Sequence, residues 1–356
     1  MTVTPRRGTP PLPIAVRGTP PLPRDQLQRP LRDLRVSVTD RCNFRCRYCM
    51  PREAFGPAFR FVDRADLLTF EEIARIVGIF ARLGVGKVRI TGGEPLLRRD
   101  IERLVGMIVG TEGIADVAMT TNGTLLPHKA HALREAGLGR VTVSLDSLDD
   151  AAFRAMSDVN LPVAVVLDGI ASAQEAGFDP IKINSVVKRG VNDSGILELA
   201  RFGRERGHII RFIEYMDVGT TNGWRLDDVV PAEEIVARIN ALHPLEPAPP
   251  TVSGEVASRY RYRDGGGEIG VIASVTRPFC QACSRARLSP LGELYTCLFA
   301  ASGQDLRTLV RRGAGDDELE AIIRGVWRAR DDRYSELRTA AGTSRPPKVE
   351  MSYIGG

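Results

Sequence analysis

No stretch of this 356-residue chain approaches the run of about 20 apolar residues that a membrane-spanning helix requires. Its opening residues include Pro, Gly and Arg and lack a basic patch followed by an apolar core, so the expected setting is cytoplasmic, without membrane attachment. Lysine is scarce: Lys87, Lys129, Lys182, Lys188 and Lys348 are set against a total of 49 basic residues, so Arg carries nearly all the positive charge. Aromatic residues make up only 6% and are not interleaved with a basic stripe. That argues against a nucleic-acid-binding protein, which needs stacking platforms, although a net charge of +5 and a pI near 9.0 favour some anionic partner. Cysteine is also rare, and its six copies fall into two groups, Cys42, Cys46 and Cys49, then Cys280, Cys283 and Cys297. With 43% hydrophobic residues, a cytosolic chain of this size neither needs disulfides nor keeps them. The two groups of three therefore point to metal.

Residues 1–30 contain a near-duplicate, Arg7-Gly-Thr-Pro-Pro-Leu-Pro13 and Arg17-Gly-Thr-Pro-Pro-Leu-Pro23, and read as a disordered proline-rich extension. From residue 31 to about 230, short β-branched runs alternate with amphipathic helical stretches. The expected strands are 34–38, 87–90, 116–120, 140–144, 181–187 and 209–214. Thr69-Phe-Glu-Glu72 is a capping box, followed at helical spacing by Ile73, Ile76, Val77 and Phe80. Six such units predict an α/β fold, a partial (β/α)6 TIM-like barrel. Residues 231–356 predict a small C-terminal α+β domain around the second cysteine group: a helix over 231–242, a short strand pair, two polar helices over 305–312 and 316–330, and a tail.

Cys42-x-x-x-Cys46-x-x-Cys49 supplies three thiols directly after an expected strand. A structural zinc site wants four protein ligands, and no His or fourth Cys lies nearby to complete one. A [4Fe-4S] cluster normally takes four cysteines, so three leave one iron open to a small molecule. The segment from Arg35 to Pro51, with Tyr48 before the last cysteine, resembles the radical S-adenosylmethionine (SAM) signature. That resemblance implies a cluster whose open iron chelates the methionine part of SAM. Thr91-Gly-Gly-Glu-Pro95 has glycines that let backbone approach a ligand, and it resembles the GGEP motif that contacts the SAM amino group in this superfamily.

The second group, Cys280-x-x-Cys283 and Cys297, again has three members, and by count alone zinc competes here. The surrounding residues, Ile269 to Cys280, Cys283 to Leu288 and Leu294 to Ala300, closely resemble the C-terminal cluster domain of the GTP 3',8-cyclase family. The likeness extends over residues 31–356. It implies two [4Fe-4S] clusters, the second with an open iron that binds the guanine of GTP. By motif, SAM contacts are expected from Tyr48, Gly93, Ser144 and Met216, and GTP contacts from Arg35, Arg89, Thr120, Lys182, Arg285, Ala286 and Arg287. Arg forks suit phosphate oxygens, which agrees with that placement.

The resemblance further implies the reaction. An electron delivered to the first cluster cleaves SAM, the resulting 5'-deoxyadenosyl radical removes the 3' hydrogen of the ribose, and the carbon radical attacks C8 of guanine. The cofactors carry that chemistry, and no conventional base is called for. Implied partners are GTP, an electron donor such as flavodoxin or ferredoxin, and cyclic pyranopterin monophosphate synthase as receiver of the product, with the chain a monomer or homodimer. Composition alone makes the closing Gly355-Gly356 a frayed end. The resemblance instead places this narrow pair in the active site as a functional element, with Arg211 as the expected partner of its carboxylate. Rival readings are another radical SAM enzyme with an auxiliary cluster, such as a peptide-modifying maturase, and a zinc-stabilised nucleic-acid-binding protein.

Overall fold

Six parallel strands in sequence order form the wall of the fold, as described for residues 22–251, 254–338 and 347–356 in a computed structural model. They are β1 (Asp33–Ser37), β2 (Lys87–Thr91), β3 (Asp116–Thr121), β4 (Arg140–Ser144), β5 (Lys182–Val187) and β6 (Ile209–Glu214). The helices between them are α1 (Phe70–Arg82), α2 (Ile101–Val109), α3 (Leu126–Glu135), α4 (Asp150–Ser157), α5 (Ala164–Glu175) and α6 (Ile196–Arg206). This is the expected partial (β/α)6 barrel, with strand limits within one residue or so of the sequence reading. At the start of α1, Thr69 Oγ1 accepts from Glu72 N at 3.1 Å while Glu72 Oε2 accepts from Thr69 N at 2.8 Å, closing the capping box.

Alternation along the strands decides what the wall offers on each side. One face carries Leu34, Val36, Val88, Ile90, Val143, Ile183, Ile210 and Phe212, all fully buried under the helices. The other face, turned to the lumen, begins strand after strand with a charged residue: Asp33 and Arg35, Lys87 and Arg89, Asp116, Arg140 and Lys182. A lumen filled with cations and carboxylates is a binding chamber, because apolar layers would serve packing better.

The remaining elements are α7 (Ala232–Leu242), β7 (Leu245–Ala248), β8 (Ser258–Tyr262), β9 (Glu268–Ile272), β10 (Arg285–Leu288), β11 (Glu293–Tyr295), β12 (Gln304–Asp305), α8 (Arg307–Arg311), α9 (Asp316–Arg328), α10 (Tyr334–Leu337) and α11 (Met351–Ile354). They continue the sheet at both edges of the barrel, giving the order β12-β11-β10-β1-β2-β3-β4-β5-β6-β9-β8-β7. Strand β10 runs parallel to β1, with Arg285 beside Asp33 and Arg287 beside Arg35. Strand β9 runs parallel to β6. The expected small C-terminal α+β domain therefore extends the barrel wall at both edges.

The N-terminal boundary also moves. Residues 1–21, including most of the duplicated proline motif, lie outside the described residues, but 22–30 are packed, with Asp25 and Arg29 buried. Gln26 N donates to Arg330 O at 3.1 Å and Trp327 Nε1 to Arg29 O at 3.1 Å, so this segment is tied to α9. The expected disordered extension does not reach residue 30. Among the described residues, no helix is long and apolar enough to cross a membrane.

Candidate active site

One cavity of about 470 Å³ occupies the lumen, within the range of a few hundred to about 1,000 Å³ typical of ligand sites. Its wall includes all six cysteines, together with Tyr48, Gly93, Ser144 and Met216 and with Arg35, Arg89, Thr120, Lys182, Arg211, Arg285, Arg287 and Gly356. Residues chosen by motif from a span of more than 300 positions are thus brought to one chamber. Ala286 and Gly355 are not on that wall: Gly355 lies just behind it, and Ala286 sits between two lumen-facing arginines, so alternation sends its side chain into the core, where it is fully buried.

The two cysteine groups stand at opposite ends of the strands. Cys42, Cys46 and Cys49 follow the C-terminal end of β1. Cys283 precedes the N-terminal end of β10, which runs parallel to β1 and in register with it, and Cys297 follows β11, the antiparallel partner of β10. Between them lies a five-residue strand, roughly 16 Å at about 3.3 Å per residue.

At the first end, Glu94 anchors the GGEP turn. Its carboxylate accepts from Leu96 N at 3.0 Å, Thr121 Oγ1 at 2.8 Å and Asn122 N at 2.7 Å, and burial pushes its pKa up to about 7. A Cβ on Gly93 would stand 2.2 Å from Arg41 O. Only glycine lets this turn lie against the chain that leads into Cys42. Asn122 Nδ2 donates to Asn43 Oδ1 at 2.7 Å, steadying the same loop. Tyr48 OH donates to Asp146 Oδ2 at 2.9 Å, while Asp146 Oδ1 accepts from Val186 N at 2.8 Å; burial raises Asp146 to about 6. Burial raises all three thiols of this group, Cys42 to about 12. The protein supplies little to stabilise thiolates here, which fits ligands whose charge is answered by iron. Among the described residues, no three Cys, His, Asp or Glu side chains converge on the position of a single ion.

At the second end, Arg285 Nη2 donates to Cys283 Sγ at 3.4 Å. Burial opposes ionisation of Cys283, but Arg285 and then Arg330 outweigh it and hold the thiol down at about 6. Between the ends lies a belt of buried cations. Arg287, Arg35 and Arg89 are register neighbours across β10, β1 and β2. Burial, followed by repulsion from Arg287, Arg285 and Arg89, lowers Arg35 well below its ordinary value; burial with Arg211 and Arg140 brings Arg89 to about 10, and burial with Arg285 brings Arg287 to about 10. Burial also lowers Lys182 to about 8, with Arg211 and Arg140 adding to it. Arg89 Nη1 donates to Thr120 Oγ1 at 2.9 Å and Thr142 Oγ1 at 3.1 Å, which aims its fork along the wall. Like charges held this close in low dielectric await a polyanion.

The tail enters the same chamber. Arg35 Nη1 donates to Gly356 O and Arg287 Nη1 to Gly355 O. A Cβ on Gly355, at φ +77°, would come within 2.3 Å of Thr91 Cγ2. The partners are thus Arg35 and Arg287, not the expected Arg211, because the tail docks on the β1 and β10 side of the wall while Arg211 stands on β6. Upstream, Glu350 accepts from Thr220 N at 2.9 Å and Thr220 Oγ1 at 2.8 Å, and Lys348 Nζ donates to Asp217 Oδ2 at 3.1 Å.

Sequence reasoning passed over Lys87, Arg140, Asp33, Asp116 and Asp146, all on the cavity wall. The signal for most of them was present: each begins a strand on the face shared with Arg35, Arg89 or Lys182.

Residues 36–203 match the family model described as Radical SAM superfamily, and residues 208–336 match the one described as Molybdenum Cofactor Synthesis C. A half-open barrel with three thiols beyond its first strand, matched in this way, places the protein in the radical SAM class of enzymes. The GTP 3',8-cyclase of Acidothermus cellulolyticus is 57% identical over 357 residues, 94% of this chain and 99% of that protein. The GTP 3',8-cyclase of Staphylococcus aureus is 45% identical over 336 residues, 94% of this chain and 98% of that one. The chain belongs to the GTP 3',8-cyclase family. Among solved structures, Streptococcus suis SuiB is similar in fold, with a TM-score of 0.58 at 17% identity over 87% of this chain and 68% of that chain.

Proposed function

We infer that the chamber carries out radical SAM cyclisation of GTP to (8S)-3',8-cyclo-7,8-dihydroguanosine 5'-triphosphate, the first step of molybdenum cofactor biosynthesis. The observation that carries this reading is the belt of buried arginines between two cysteine groups at opposite ends of one lumen. Cys42, Cys46 and Cys49 would hold a [4Fe-4S] cluster, which with SAM would supply radical chemistry able to take an unactivated ribose hydrogen.

The chain's own residues position and shield. Tyr48, Gly93, Ser144 and Met216 line the end where SAM would lie, with Asp146 fixing the Tyr48 hydroxyl. Arg35, Arg89, Lys182 and Arg211 face the lumen and would neutralise the triphosphate, joined by Thr120 through its bond to Arg89. Cys280, Cys283 and Cys297 would hold the second [4Fe-4S] cluster at the guanine end, between Arg285 and the tail-binding Arg287. Gly355 and Gly356 lie against that belt and narrow the chamber around the reacting ribose. Electrons would come from flavodoxin or ferredoxin, and the product would pass to cyclic pyranopterin monophosphate synthase. A cytoplasmic monomer or homodimer suits these exchanges.

Incubating anaerobically reconstituted protein with SAM, GTP and a strong reductant tests this reading. 5'-Deoxyadenosine together with a cyclised nucleotide is the expected result. SAM cleavage with no change in GTP would sink the substrate assignment, and zinc in place of iron and sulfide would sink the radical one.

A further inference from the structure

Arg29 has no part in the reaction as described, although its side chain lines the same cavity and is only 2% exposed. Its Nε donates to Asp25 Oδ2 at 2.5 Å, and its Nη1 donates to Cys280 O at 2.7 Å and Asp332 O at 2.8 Å. Nη2 is buried without a partner among the described residues. Each unsatisfied buried donor costs about 1–3 kcal/mol, and more on a charged group, so a guanidinium held this way calls for an acceptor.

Local charge agrees. Asp25, with a side chain 0% exposed, answers both Arg29 and Arg330, the latter at 3.0 Å. Asp332 meets Arg330 at 3.4 Å but is partly open to solvent. Arg285 and Arg287 stand on the same wall, so cations outnumber carboxylates around the second cysteine group even when Asp33 is counted. The two arginines also grip the backbone that carries the thiols: Arg29 at Cys280 O, and Arg330 at Cys283 O (2.8 Å) and Thr296 O (3.1 Å). An iron-sulfur cluster on three thiolates is anionic and becomes more so on reduction. A buried cation with two open N–H donors matches such a group.

We propose that Arg29, braced by Asp25, donates through Nη2 to the iron-sulfur group held by Cys280, Cys283 and Cys297, and so raises that group's reduction potential. This rests on the second-cluster reading above. Arg29 is a positioning residue here: it touches the group's sulfur periphery and no reacting atom of the substrate. Donors and positive charge stabilise the reduced form more than the oxidised form, which fixes the sign.

The test uses full-length, anaerobically reconstituted protein in a Cys46→Ala background, in which iron at the first group is lost. Iron and sulfide are assayed, and the remaining cluster is titrated potentiometrically under electron paramagnetic resonance, without SAM or GTP. Arg29→Met should shift the midpoint to more negative potential, with Arg29→Lys recovering most of the shift. A Met variant with full iron and an unmoved midpoint and spectrum would overturn the proposal. Where Arg29→Met loses its iron, Arg29→Lys decides: iron retained with an intermediate midpoint supports tuning, and iron lost reduces Arg29 to a structural brace and overturns it. A Cys46→Ala parent carrying no iron at all would instead remove the second-cluster reading, and this proposal with it.

Discussion

Lys182 sits in the lumen beside Arg211 and Arg140, and burial together with those neighbours brings its ammonium down to about 8. A triphosphate bound against it favours the charged form, so its pKa must climb when nucleotide binds. Near and above pH 8 the free protein therefore carries less than a full proton there and takes one up on binding, and affinity falls as pH rises through that value. Calorimetry of GTP binding in buffers of different ionisation enthalpy should show proton uptake near pH 8, and Lys182→Met should lose most of it. Equal heats in all buffers for the parent would place the triphosphate away from Lys182. Arg89 and Arg287, lowered only to about 10, stay charged across this range and supply the part of binding that does not depend on pH.

At the scale of the element, the tail is the sharpest case. Its two glycine oxygens are held by Arg35 and Arg287, while Glu350 and Lys348 fasten it to the segment after β6. Removing Gly355 and Gly356 deletes two contacts in the lumen and leaves both fastenings. The truncated protein is expected to fold, keep its iron and bind GTP, but to lose cyclisation by about a hundredfold or more, the scale on which small misplacements cost rate. Product assay beside nucleotide binding checks it, and parent-like turnover would return the pair to an ordinary chain end. How much of each element the sequence disclosed follows from the range of the forces involved. Strand and helix limits depend on local alternation and caps, and these were legible, as the capping box at Thr69 shows. The Arg285-Ala286-Arg287 run also carried its own alternation, which assigns Ala286 to the core. Residues 22–30 were not legible, because Asp25 and Arg29 are held by groups near residues 280, 330 and 332, and nothing in a proline-rich, charged local sequence announces such distant partners. The tail's partner was misplaced for the same reason: Arg211, Arg35 and Arg287 look alike in sequence, and only the side on which the tail docks separates them.

For the molecule as a whole, the barrel and the C-terminal segment share one continuous sheet. A fragment ending at residue 230 would expose β1 and β6 as open edges, since β10 and β9 now cover them. Unpaired parallel edges with an apolar outer face invite association between chains. Such a fragment should elute as aggregates in size-exclusion chromatography or stay insoluble, while the full chain gives a discrete species. A discrete, folded fragment would show that the barrel stands without its C-terminal strands. The cavity would be incomplete in that fragment in any case, for Arg285, Arg287 and the second cysteine group all arrive with the missing strands.

The register of β10 on β1 also makes the wall a caliper. The first cysteine group lies beyond one end of these strands and the second before the other, so the separation of the proposed radical source and base anchor is counted in residues, at about 3.3 Å each. Adding one residue would turn the arginine belt outward, but adding two to each strand would preserve every facing and set the jaws about 7 Å too far apart for one nucleotide to reach both. The enzyme would then still spend SAM and still hold GTP, with the two events no longer meeting.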